Sequence, residues 1–119
     1  MLILKNVIFT VLVPGTFGVL VPRWIASCFH IGHITVKDPI PWKIYTEGVA
    51  TTLKPFGAEI IFRGKRATVL CGKHSYPNAV VIKFPDHPTL QQWYDSKGDQ
   101  ELISIREKAA DVLLISYDA

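Results

Sequence analysis

Residues 58–84 read AEIIFRGKRATVLCGKHSYPNAVVIKF. They form three short β-prone runs, set apart by Arg63-Gly64-Lys65-Arg66 and by His74-Ser75-Tyr76-Pro77-Asn78. Val, Ile and Phe favour the pleated, half-buried surface of a strand, while the basic tetrapeptide and the Ser-Tyr-Pro-Asn run interrupt it. The stretch predicts strands at Ala58–Arg63 and Ala79–Phe84, with a small extra strand at Ala67–Cys71 and a solvated turn at Arg63–Arg66. Alternation puts Ala58, Ile60 and Phe62 on one face and Glu59, Ile61 and Arg63 on the other; in the later run Val80, Ile82 and Phe84 oppose Val81 and Lys83.

A helical pattern with a strand beyond it lies on each side of this stretch. Upstream, Trp42, Tyr45, Val49 and Leu53 recur at spacings of three and four, an apolar stripe whose aromatic rings read as core. Asp38-Pro39 opens that helix, because proline suits the first turn and an acid suits the N-terminal end of the helix dipole. Pro55 ends it and Gly57 lets the chain turn. Before it, residues 29–37 (FHIGHITVK) alternate as a strand. Successive side chains there point to opposite faces, so His30 and His33 cannot chelate one metal ion. Downstream, Pro85-Asp86-His87-Pro88 opens a second helical region through Leu90, Trp93, Leu102, Ile105 and Ala109, broken at Ser96–Asp99. A last strand follows at Val112–Tyr117. The order β-α-β-β-α-β predicts an α+β, ferredoxin-like sandwich: an antiparallel sheet in the order 4-1-3-2 with both helices on one face.

The chain has 119 residues, enough for one core. Its 13 Lys and Arg against 10 Asp and Glu give a net charge of only +3, and the bases are scattered, which argues against a nucleic-acid surface. Cys28 and Cys71 lack zinc-ligand spacing and read as free thiols. A disulfide between them would need adjacent strands and an oxidising compartment. No phosphate loop, nucleophile elbow or thiolate cluster is present, no metal site is expected, and haem would need a placed axial ligand, so no cofactor is expected.

Residues 1–25 are a separate segment. Lys5 and Arg23 bracket a charge-free run over residues 6–22, which as a helix would span only about 25 Å against a hydrocarbon core of about 30 Å. The apolar residues surround such a helix rather than striping it. The expectations are a helical membrane anchor or interfacial segment, a cleaved signal, or an apolar extension that packs on the domain or is disordered. Ile25-Ala26-Ser27-Cys28 resembles a lipoprotein processing site, but Arg23 and Trp24 disfavour cleavage there. The run LVPGTFGVLVP is similar to the first hydrophobic segment of isoprenylcysteine methyltransferase-like membrane proteins, without any of their cofactor-binding part. These readings place the chain at a membrane or in the cytoplasm, in preference to a secreted lipoprotein.

Pro55-Phe56-Gly57 with Phe62-Arg63-Gly64, then Phe84-Pro85-Asp86 and Trp93-Tyr94-Asp95-Ser96, carry a further resemblance. In that order and spacing residues 29–119 resemble the DUF1330 family, whose function is unknown. The chain departs from the family pattern at Gly98-Asp99, where an acidic residue and a tyrosine are usual. The resemblance implies the dimeric α/β-barrel superfamily, in which two such sheets face one another. A homodimer also follows from the residues: two helices cover one sheet face, and the other holds Ile61 and Val81 among polar groups. The expected function is a small-molecule-binding protein or enzyme with its pocket on the helix-free face. His33, Glu59, Arg63 and Lys83 are the candidate lining. His33 is the candidate proton shuttle, and Arg63 the group that would hold a carboxylate or enolate. The alternative is a non-enzymatic, membrane-tethered binding or stress-related module.

Overall fold

The computed structural model describes residues 27–119, so the expectations for residues 1–25 lie outside the described residues. Asp38 begins the first helix as its sequence implies. Its carboxylate accepts from the Ile40 backbone N–H at 3.1 Å, and Pro39 occupies the first turn. Asp86 repeats the device at the second helix, accepting from the Thr89 N–H at 2.8 Å. Each cap satisfies a donor that the helix itself leaves unpaired.

The elements are β1 (Cys28–Val36), α1 (Pro39–Leu53), β2 (Glu59–Lys65), β3 (Asn78–Phe84), α2 (His87–Asp95), a single turn α3 (Lys97–Gln100), α4 (Ile103–Ala109) and β4 (Ala110–Asp118). The strands pair antiparallel in the order β2-β3-β1-β4, which is the expected 4-1-3-2 order read from the other edge. A 3-10 turn over Lys54–Phe56 closes α1, and Gly57 caps it with φ 64, a left-handed conformation that glycine reaches without a Cβ clash.

The helices pack on one face of the sheet. Tyr45, Val49 and Leu53 of α1 and Leu90 and Trp93 of α2 meet Cys28, Ile82 and Phe84 in the main core. Phe84 and Trp93 are almost wholly buried, each stabilising by roughly 1.5–3 kcal/mol from the area removed from water. The Trp93 indole N–H donates to Thr52 Oγ1 at 2.9 Å and ties α2 to α1. Gly48 lets α1 approach closely, since a Cβ there would lie 2.8 Å from Leu102 Cδ2.

Three details of the central stretch differ from the sequence reading. First, Ala67–Cys71 is irregular rather than a strand. The β2–β3 ladder ends at Lys65↔Asn78, so residues 67–71 pair with no strand, and Leu70 stands 93% exposed. Second, Arg63–Arg66 is not a turn. Arg63 to Lys65 continue β2, the Arg66 N–H donates to Pro77 O at 2.7 Å, and the Arg66 guanidinium donates to the carbonyls of His74 and Tyr76.

Third, the register slips between Ile60 and Phe62: Ile60 pairs with Ile82, but Phe62 pairs with Val81 and Arg63 with Val80. Ile61 is therefore an extra residue, a β-bulge, and it inverts the alternation beyond it. Phe62 turns to the helix-free face and Arg63 to the helix side, the reverse of the expectation. Cys28 is buried and Cys71 exposed, both as free thiols, so the disulfide is not formed.

Candidate functional site

Between α1 and the sheet lies a cleft of about 490 Å³. Its floor is the helix-side row of the sheet, with Ile34, Val80, Ile82, Val112 and Leu114; its roof is α1, with Trp42, Tyr45, Thr46 and Val49. At its edge the bulged strand β2 contributes Ile60, Arg63 and Lys65.

His30 lies on that floor. It is 6% exposed, and no other described residue hydrogen-bonds either ring nitrogen. Its ring meets Trp93 edge-on, with centroids 5.5 Å apart. Burial lowers its pKa to about 4, against the raising effect of a contact with its own backbone and with a smaller lowering from the Arg106 charge, so the imidazole is neutral at pH 7. A buried neutral imidazole that no neighbouring residue bonds forgoes interactions that a ligand can supply.

The helices also enclose a charged group. Asp99 is 1% exposed and Arg106 is 7% exposed. Burial raises the Asp99 carboxyl to about 6, against the lowering effect of Arg106. Burial also opposes the Arg106 charge. Hydrogen bonds donated by its guanidinium to Tyr45 and Tyr94 outweigh that, and its pKa is raised. Tyr45 links this group to the cleft: its pKa is raised by burial, against the effect of the Arg106 hydrogen bond.

The residues singled out from the sequence are divided between the two faces. Glu59 and Lys83 are register partners on the helix-free face, and His33, opposite Ala79, shares that face. There His33 packs on His74, with ring centroids 4.8 Å apart, and near Tyr76, around a hollow of about 210 Å³. Arg63 lines the other cleft. His33 and Arg63, the two catalytic candidates, therefore do not face one substrate. The larger cleft is on the side opposite to the one expected.

His30, Asp99 and Arg106 were not singled out. Alternation separates His30 from His33 but does not say which face the helices cover, and Asp99 lies in what reads as a break in the helical pattern. Among the described residues no three His, Cys, Asp or Glu side chains converge as metal ligands, and no described helix is long and apolar enough to cross a membrane.

A family model described as a domain of unknown function, DUF1330, matches residues 27–117. No curated protein matches the chain. Among solved structures, a protein of unknown function from Rhodopseudomonas palustris is similar with a TM-score of 0.69 at 11% identity, covering 80% of this chain and 83% of that one. SnoaB, a cofactor-independent oxygenase from Streptomyces nogalater, has a TM-score of 0.56 at 12% identity, with 79% and 93% covered. A dimeric ferredoxin-like protein of unknown function from Jannaschia has a TM-score of 0.58 at 11% identity, with 78% and 99% covered. At these identities the likeness is one of fold, and the α+β, ferredoxin-like class stands on it.

Proposed function

The chain belongs to the DUF1330 family, and on that premise we propose that it is a small-molecule-binding protein acting as a homodimer, with the helix-side cleft as its pocket. The observation that carries this is His30, buried on the cleft floor with neither ring nitrogen bonded by another described residue. The cleft has the size and the largely apolar lining usual for a ligand site.

Binding is favoured over acid–base catalysis. An imidazole held at about 4 is a weak base at neutral pH, while its neutral form both donates and accepts hydrogen bonds. The helix-free face supports the dimer: Phe62, Leu113 and Tyr117 are each about half exposed there, and a second copy of the same face would cover them. The Jannaschia protein of similar fold is described as dimeric.

Titration of the chain with 2-naphthol, a small ring compound with one hydroxyl, should move the indole N–H resonances of Trp42 and Trp93. Thr46→Phe, which narrows the cleft from a half-buried position on α1, should weaken binding about tenfold, the scale of a misplaced methylene or more in a packed pocket. Unmoved indole resonances at saturating probe would refute the pocket.

A further inference from the structure

We infer that the natural ligand of the cleft is an apolar, ring-containing anion with a hydroxyl or carbonyl at the end remote from its charge; this rests on the reading above that the cleft is a binding site. The charges lining the cleft are Arg63 and Lys65, with no Asp or Glu beside them. Their register partners, Val80 and Asn78, also line the cleft, so the two bases stand next to each other at its β2 edge. Neither takes part in the ion pairs among the described residues, which are Lys43–Glu47, Lys97–Glu101 and Arg106–Glu107. An apolar cleft with two uncompensated cations at its rim attracts an anion and repels a cation. Arginine in addition presents a planar fork that matches a carboxylate.

The other polar anchor is His30, on the floor. Arg63 pairs with Val80, Val80 with Gly32, and His30 lies two residues along β1 from Gly32. Two strand spacings across and two residues along separate the Cα atoms by about 12 Å. Trp42, Tyr45 and Trp93 line the cleft with apolar and aromatic surface, which suits a flat ring system rather than a sugar. A fused two-ring body with its charge at one end and a hydroxyl or carbonyl at the other meets both anchors at once.

Calorimetry on the full chain with 6-hydroxy-2-naphthoate and with 2-naphthol tests this, because the two differ by the carboxylate alone. The acid should bind about tenfold more tightly, the scale of a hydrogen-bonded charge. In Arg63→Glu/Lys65→Glu that preference should vanish or reverse, with 2-naphthol affinity changed less than about twofold because the ring contacts remain. Both positions are exposed, and Arg63→Gln/Lys65→Gln, which adds no repulsion, should give an intermediate preference. Equal binding of the two compounds to the unaltered chain, or a preference that survives in the Glu variant, would overturn the anionic assignment and leave the pocket standing. Binding of neither compound would overturn the pocket as well.

Discussion

His30 and Asp99 are buried titratable groups with opposite pH signatures. His30 is held at about 4 by burial, below the 6.5 of an unfolded histidine, so the unfolded chain binds its proton more readily. The stability linked to it is complete above pH 6.5 and lost as pH falls towards 4. Asp99 is raised to about 6 by burial, so its linked stability is complete below the unfolded carboxylate value and lost as pH rises through 6. Each shift corresponds to about 3 kcal/mol over its window, and the windows overlap between pH 4 and 6. The two contributions cancel in the intact protein, whose urea midpoint should therefore stay nearly constant across that range. Asp99→Asn, which leaves only the His30 effect, should gain stability as pH rises from 4 to 6.5. His30→Phe should lose it between 4 and 6. Parallel pH profiles for the two variants would show that these groups do not titrate as argued.

In β2 one extra residue decides which side chains enter the cleft. Local chemistry made most elements legible in advance: the Asp-Pro starts, the Tyr45-Val49-Leu53 stripe and the alternation of β1 all correspond to observed features. Alternation failed at Ile61, because a bulge has no signature in EIIFRGK. Each residue there is an acceptable strand residue, and only the ladder with β3 reveals the slip. Glu59, His33 and Lys83 share the helix-free face, and Arg63 lies on the other. Alternation alone gives His30 no role, because burial on the helix side depends on which face the helices choose, a tertiary fact. Deleting Ile61 leaves the pairs Ile60↔Ile82 and Phe62↔Val81 intact and removes only the unpaired residue. The deletion variant should keep Arg63 at the cleft and bind 6-hydroxy-2-naphthoate within about threefold of the intact chain, since no lining residue is lost. A loss of the acid's preference over 2-naphthol would mean that the bulge itself shapes the rim.

For the whole molecule, the helix-free face is the surface most in need of a partner. Phe62 lies across Gly64 there, and Leu113 and Tyr117 of β4 face outward, an apolar expanse that water penalises in an isolated sheet. Light scattering during size exclusion should give twice the chain mass. Leu113→Glu, which places a charge within that face, should give the single-chain mass with an unchanged far-ultraviolet spectrum, and a dimer that persists in this variant would place the interface elsewhere. The unequal surroundings of the two thiols then become useful. Cys28 is enclosed, and burial with Asp118 beside it pushes its thiol up to about 11, whereas Cys71 is exposed on the irregular loop between β2 and β3. A maleimide spin label therefore attaches to the native protein at one place per chain. In the proposed homodimer the two nitroxides would form an electron-spin ruler across its two-fold axis, and the reading would tell which way the second sheet is turned without a substitution being made.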